Sequence, residues 1–231
     1  MVGRRALGRL GTATGVIDEV LAEQVRYYRA RAAEYDVTSP QGFHPYDAVV
    51  ERVAVELRAL GPVGRAIELG AGTGHFTGVV ASIAERVVAV DSAPEALELL
   101  RGKVASPNVE TVVADVFAWT PDEPAELVVF AALFSHIPSD RFDAFWAVID
   151  GMLAPGGRAF LIDETPHDLW ARDTSAGDDQ IVVRTLQDGR AYRIVKVLWD
   201  PDELARRLED AGWRASFTRE DPLFWGLVQP R

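Results

Sequence analysis

Residues Ala66-Ile-Glu-Leu-Gly-Ala-Gly-Thr-Gly-His-Phe-Thr77 decide how the rest of the chain is read. An apolar stretch closes at Leu69, glycines alternate at Gly70, Gly72 and Gly74, and a helical pattern opens behind them. Only glycine lets a backbone turn this sharply and lie flat against a ligand, and such a ligand belongs in the crevice beyond the strand's carboxyl end. A dinucleotide fingerprint, G-x-G-x-x-G, requires a third glycine at position 75, where the chain has His75; its third glycine comes one place early. Glu68 also puts an acid where dinucleotide sites keep an apolar strand residue. A glycine turn with no ligand is the bland alternative.

Outward from this turn, short apolar runs alternate with helical spacing. The runs are 65–69, 87–90, 109–114, 127–133 and 158–162; helices are expected over about 75–85, 94–103 and 140–152, with a short one near 117–123. Nearly all-apolar strands divided by helices signal a parallel sheet covered on both faces, an α/β doubly wound fold. Upstream, Ile17, Val20, Leu21, Val25, Tyr28, Ala32 and Tyr35 recur at helical spacing, and a second helix is expected from Pro45 to about Leu60. Downstream, two strand patterns (181–186 and 192–199) flank the turn Gln187-Asp-Gly-Arg190, and a helix starts at Asp200-Pro201 and stops at Gly212. Two last strands, about 213–220 and 223–229, would add an antiparallel pair to the sheet edge, making seven strands.

The composition narrows the function. Twenty-four basic against 35 acidic side chains leave a net charge of −11, which disfavours nucleic acid and anionic membrane surfaces as partners. With no cysteine, disulfides, thiolate zinc sites and cysteine nucleophiles are excluded, and four scattered histidines (His44, His75, His136, His167) form no metal-binding pair. No metal is expected. No apolar run reaches the roughly 18 residues of a membrane helix, and residues 1–16 read as a flexible arm without a signal-peptide core. A cytoplasmic location is expected, as monomer or homodimer.

Two more acids end strands on the edge that carries Glu68. Asp91 closes Val87-Val-Ala-Val-Asp91, about twenty residues on, where a carboxylate can accept both hydroxyls of a ribose; Asp115 follows the third strand. N-capping and turn chemistry compete for both. Three acids beside a glycine turn suggest a ligand rich in hydroxyl and amino donors, without phosphate.

With ELGAGTG (68–74), VDSAPEAL (90–97), ADVFAW (114–119), VVFAALFSHIP (128–138) and LAPGGRAFLID (153–163) in this order, the chain resembles the class I S-adenosylmethionine-dependent methyltransferases over most of residues 17–231. The resemblance implies a mostly parallel, Rossmann-like methyltransferase fold in a single domain, 17–231, with antiparallel C-terminal strands. A helical and hairpin lid would come from 17–60 and 165–199. It implies S-adenosyl-L-methionine as cofactor, packed on Gly70, Ala71, Gly72 and Gly74, with Glu68 orienting the methionine amine. Asp91 and Ser92 would hold the ribose and adenosine, Asp115, Val116 and Phe117 the adenine, and Phe130 and Ala131 would lend backbone contacts. Tyr28 would close over the sulfonium.

The same resemblance bears on the methyl acceptor. Branches that methylate amino groups of nucleic acid or protein look like [DNS]-P-P-[YF] after the fourth strand; here the chain reads Ala-Ala-Leu-Phe-Ser-His-Ile-Pro. A small-molecule acceptor with an O, N or C nucleophile is therefore expected. Candidate acceptor contacts are Tyr27, Tyr35, His136, Asp163, Trp170, Arg184, Tyr192, Arg193 and Trp199. Tyr27 lies about 100° around the helix from Tyr28, and Tyr192 and Arg193 point to opposite faces of one strand, so at most one of that pair should reach the pocket. His136 is the candidate general base, since an imidazole titrates near neutrality, with Glu164 second. A nicotinamide-dependent oxidoreductase and a non-catalytic S-adenosylmethionine-binding protein are the competing functions.

Overall fold

The computed structural model describes residues 13–38, 44–166, 174–178 and 180–231. The arm expected at 1–16 lies outside this range except for 13–16, which are already helical. Helix α1 (Ala13–Arg31) passes through a 3-10 turn (Ala32–Glu34) into the single turn α2 (Tyr35–Thr38), and α3 (His44–Arg58) follows. The central part then alternates as expected: β1 (Val63–Leu69), α4 (Thr77–Ile83), β2 (Ala84–Asp91), α5 (Pro94–Lys103), β3 (Val109–Val113), β4 (Ala125–Ala131), α6 (Phe142–Met152) and β5 (Leu153–Glu164). A small sheet, β6 (Thr174–Asp178), β7 (Ile181–Thr185) and β8 (Ala191–Val195), precedes α7 (Pro201–Asp210), β9 (Trp213–Glu220) and β10 (Leu223–Pro230).

The large sheet has seven strands in the order β3-β2-β1-β4-β5-β10-β9. Its first five strands are parallel, while β10 runs antiparallel to both β5 and β9. Chain direction along the sheet reverses at β1, flanked by β2 and β4, and this is where open α/β sheets leave a ligand crevice. The register brings Leu69 beside Val90 and Phe130, so three strand ends meet at one edge.

Period-two alternation explains why both faces are covered. On β4, Val128 and Phe130 enter a core with α6 and α7, while Leu127 and Val129 enter a second core with α3 and α4. The first core is an aromatic block: Phe130, Phe134, Phe145, Trp146 and Trp213 lie with neighbouring ring centroids 5.1–6.0 Å apart. Such pairs contribute about 0.5–1.5 kcal/mol each beyond burial. The block backs the 3-10 turn Phe134–His136 and holds it rigid.

Several boundaries differ from the sequence reading. No helix forms at 117–123; Asp115 instead folds a turn by accepting the Phe117 N–H at 2.8 Å, and Asp122 and Glu123 reach across to Arg65. Strand β4 stops at Ala131, because Ala132 takes a φ of 49° and redirects the chain. The second strand of the expected hairpin ends at Val195 rather than Trp199, and β6 adds a third strand beside β7. The small sheet then lies against α1, with Val20 packed on Ile181 and Val195. No described helix is long and apolar enough to cross a membrane, and the described residues contain no cluster able to hold a metal.

Candidate active site

The glycine turn leaves β1 and is tied to β2 twice. Ala71 donates its N–H to the Val90 carbonyl at 3.1 Å, and Gly72 donates to Asp91 Oδ2 at 2.8 Å. Gly72 has φ 55°, and a Cβ there would meet nothing nearer than the Gly70 carbonyl at 3.9 Å, so its face is left open to the cavity. Gly74 serves differently. Its φ is 89°, and a Cβ would come 2.9 Å from Leu100 on α5, which makes it a packing glycine outside the cavity lining.

A cavity of about 170 Å³ begins at this turn. Gly70, Gly72, Asp91, Ser92, Asp115, Val116, Phe117 and Ala131 line its floor. Asp91 also accepts the Ala93 N–H at 2.8 Å; burial pushes its carboxyl up, and these backbone donors pull the other way. Glu68 sits behind the turn, 3% exposed, with Oε2 unpartnered among the protein's groups. Burial raises it to about 7, and the neighbouring Asp91 charge adds to the rise. Ala71 is buried outside the lining, and the Phe130 ring points into the aromatic core.

The opposite wall comes from α1, its extension and the turns after β4. Gln24, Tyr28, Ala32 and Tyr35 face the cavity from α1 and its extension, and Leu133, His136, Ile137 and Arg141 close the end. Tyr28 Oη lies 2.7 Å from His136 Nε2, and His136 Nδ1 lies 2.7 Å from the Val195 carbonyl. Gln24 bridges the same pieces, donating to the His136 carbonyl at 3.2 Å and accepting the Val195 N–H at 2.9 Å. Burial pushes the His136 imidazole well below its usual range, and the charges of Lys196 and Arg184 act in the same direction. The extension α2 is latched to the glycine turn, since Thr73 donates to Asp36 Oδ1 at 2.6 Å and Asp36 pairs with Lys103.

Other candidates lie away from the cavity. Tyr27, on the adjacent face of α1, packs against Leu186, Ile194 and Tyr192. Neither Tyr192 nor Arg193 lines the cavity; Arg193 is held by Glu23 through N–H and Nε contacts of 2.7 and 2.9 Å. Trp199 stacks on Phe134 at 5.8 Å, beneath Arg207. Asp163 is buried and receives the Ser135 N–H at 2.8 Å, and Glu164 pairs with buried Lys196, which also donates to Ser135 Oγ at 3.0 Å. Both therefore brace the His136 turn from behind. Arg184 is absent from the lining, although its charge bears on Tyr28 and His136. Trp170 lies outside the described residues. Gln24, Thr73, Leu133, Ile137 and Arg141 line the cavity without having been singled out; the four-residue step from Gln24 to Tyr28 was the available signal for the first.

This arrangement defines a class: an α/β protein whose sheet edge presents acids and a glycine turn to a nucleoside-type ligand. A family described as a methyltransferase domain matches residues 66–157. Structures of DhpI with SAH and of DhpI with SAM and HEP superpose with TM-scores of 0.79, at 38% and 39% identity, covering 95% and 91% of this chain and 98% of theirs. Among curated proteins, the chain is 38% identical to trans-aconitate 2-methyltransferase of Rhizobium etli over 118 residues, 49% of this chain. It is 29% identical to protein-L-isoaspartate O-methyltransferase of Pseudomonas paraeruginosa over 149 residues, 63% of this chain. The matched parts span only 45% and 64% of those two proteins. The chain belongs to the class I S-adenosylmethionine-dependent methyltransferases. Its cofactor is S-adenosylmethionine, and the nicotinamide alternative is thereby set aside.

The residues present fit that cofactor. Asp91 and Asp115 keep carboxylate lone pairs beyond those used by the backbone, suited to ribose hydroxyls and an adenine amine. Glu68 Oε2 is a buried acceptor without a donor, and the open face of Gly72 leaves room for close approach.

Proposed function

We propose that the protein methylates an oxygen or nitrogen atom of a small molecule held between the glycine turn and the Tyr28–His136 wall. The observation that carries this reading is one cavity in which Gly72, Asp91 and Asp115 face the His136 wall. Its modest size and the α1 roof favour a small acceptor over a polymer, in keeping with the net charge of −11. The named relatives include an enzyme acting on trans-aconitate, and one DhpI complex holds SAM and HEP together.

S-adenosylmethionine, when bound, supplies an electrophilic methyl on a sulfonium, so little acid–base work is required of the protein. Asp91, Asp115 and Glu68 would bind and orient it, with Ser92, Val116, Phe117 and Ala131 around the nucleoside and Gly70 and Gly72 along its length. Tyr28, Tyr35 and Gln24 cover the cavity and exclude water. Positioning of this kind supplies about 7–11 kcal/mol of a bimolecular barrier. His136, neutral at the cavity end, is the base able to hold the positive charge that methylation of a protonated acceptor releases.

Transfer of a labelled methyl group from S-adenosylmethionine to a panel of small acids, alcohols and amines, with protein and RNA fractions beside it, tests the reading. Label in a small molecule is expected. Label only in protein or RNA would overturn the acceptor class, and tight S-adenosylhomocysteine binding with no label moved anywhere would favour a non-catalytic binding protein.

A further inference from the structure

We propose that Tyr28 is the group that takes the proton from the methyl acceptor, and that His136 acts through it. The inference rests on the methyl-transfer reading above and adds the proton's route and the kind of acceptor atom. A backbone carbonyl can only accept, so the 2.7 Å contact between His136 Nδ1 and the Val195 oxygen places the ring hydrogen on Nδ1. In the neutral ring, Nε2 is then a lone-pair acceptor, and the 2.7 Å contact with Tyr28 has the phenol donating. With its hydrogen committed to Nε2, Tyr28 Oη offers the cavity only lone pairs.

A group in that state accepts a hydrogen bond from an incoming O–H or N–H and has nothing to donate to an ionised oxygen. The site is therefore built for a nucleophile that arrives carrying its proton and loses it readily on methylation: a hydroxyl, or a heterocyclic N–H whose nitrogen lone pair is delocalised in the ring. As the acceptor atom releases its proton to Tyr28 Oη, the phenolic hydrogen passes to His136 Nε2. Tyr28 ends neutral, the acceptor atom keeps the electron pair for its new bond to the methyl carbon as the methyl–sulfur bond breaks and leaves its pair on a neutral thioether, and His136 becomes an imidazolium still donating from Nδ1 to Val195. Burial and the charges of Lys196, Arg184 and Arg31 keep His136 unprotonated beforehand, so its lone pair is available at neutral pH. A weak base is adequate, because an oxygen, or a ring nitrogen with a delocalised lone pair, that has gained a methyl while keeping its proton is a far stronger acid than imidazolium.

The relay also gives Val195 of β8 and Gln24 of α1 a reason to meet at this point. Gln24 holds the Val195 N–H and the His136 carbonyl, fixing the ring between the two lid pieces, and is a positioning residue.

The test has two arms. In the first, nitrogen-15 spectra are recorded on the whole protein saturated with S-adenosylhomocysteine. His136 should show a protonated Nδ1 and a hydrogen-bonded, unprotonated Nε2 at pH 7, and Tyr28→Phe should move Nε2 to the value of a free lone pair. A ring protonated on both nitrogens, or an Nε2 resonance unmoved by Tyr28→Phe, would overturn the relay. In the second arm, label transfer from S-adenosylmethionine is measured against hydroxyl, N–H and carboxylate compounds of similar size. Hydroxyl or N–H compounds should accept the label, and Tyr28→Phe should lower kcat about 100-fold with S-adenosylhomocysteine affinity changed less than about threefold. His136→Gln, which can still accept from Tyr28 but cannot take its proton, should lower kcat similarly without raising KM. Transfer to carboxylates alone, or Tyr28→Phe within threefold of wild type, would sink the proposal. Absence of any acceptor would count against the methyl-transfer reading instead, and the spectra would still decide the relay.

Discussion

Asp91, at the end of β2, receives the Gly72 backbone N–H at 2.8 Å, so the acid proposed to hold the ribose also fixes the glycine turn. In the proposed site one carboxylate thus carries two duties. Asp91→Ala should remove ribose acceptors and also strand the N–H groups of Gly72 and Ala93, each buried unpaired donor costing about 1–3 kcal/mol. Calorimetry should show S-adenosylhomocysteine affinity falling at least tenfold together with a lower melting temperature. Unchanged affinity would move the cofactor site elsewhere.

Gly72 and Gly74 separate binding from packing. Gly72→Val places a side chain in open cavity and should abolish cofactor binding, with a stability loss confined to the backbone strain of φ 55°, about 1–2 kcal/mol. Gly74→Val drives its Cβ into Leu100 and should chiefly lower stability. Thermal melts beside binding isotherms would check this, and equal binding losses at equal stability would contradict it.

Lys196 and Glu164 form a buried pair that braces Ser135 and, through it, the His136 turn. Lys196→Met leaves a buried carboxylate unpaired and should cost about 3–5 kcal/mol in denaturant unfolding. The double change with Glu164→Leu should recover most of that loss. A single variant as stable as wild type would show that the pair is dispensable.

Two buried groups give opposite pH dependences. His136 titrates below its unfolded value near 6.5, so the unfolded chain binds the extra proton first; its contribution to stability is present above about pH 6.5 and is lost as pH falls. Glu68, raised to about 7 from 4.5, contributes fully below about pH 4.5 and loses that contribution as pH rises to 7. In the ligand-free protein, Glu68→Gln should remove a stability loss on the order of 3 kcal/mol between pH 4.5 and 7, and His136→Gln should remove the fall on the acid side. Unfolding free energies at pH 5, 6, 7 and 8 would show both, and parallel wild-type and Glu68→Gln curves would argue against a buried, shifted carboxyl.

The sheet and the floor of the cavity at its edge were legible because local rules dictate them. Apolar strands such as 127–131 are buried on both faces, glycines at 70 and 72 are demanded by backbone geometry, and acids at strand ends fall on one edge whenever the strands are parallel. The helix boundary at Arg31, the end of β4 at Ala132 and the turn at 115–118 were not legible, since each depends on hydrogen bonds or a backbone angle that residue type does not announce. The far wall of the site is a tertiary matter. Gln24 and Tyr28 meet His136 across more than a hundred residues, and β8 supplies a carbonyl, a group every residue carries. Likewise Arg193 and Trp199 could be placed on the lid from sequence, but only the packing of α1 on β8 and of α6 beneath the turn decided that one meets Glu23 and the other joins the aromatic core. Periodicity specifies which face of an element is buried; it does not specify which distant element covers that face, and that choice determined which groups meet at the end of the cavity.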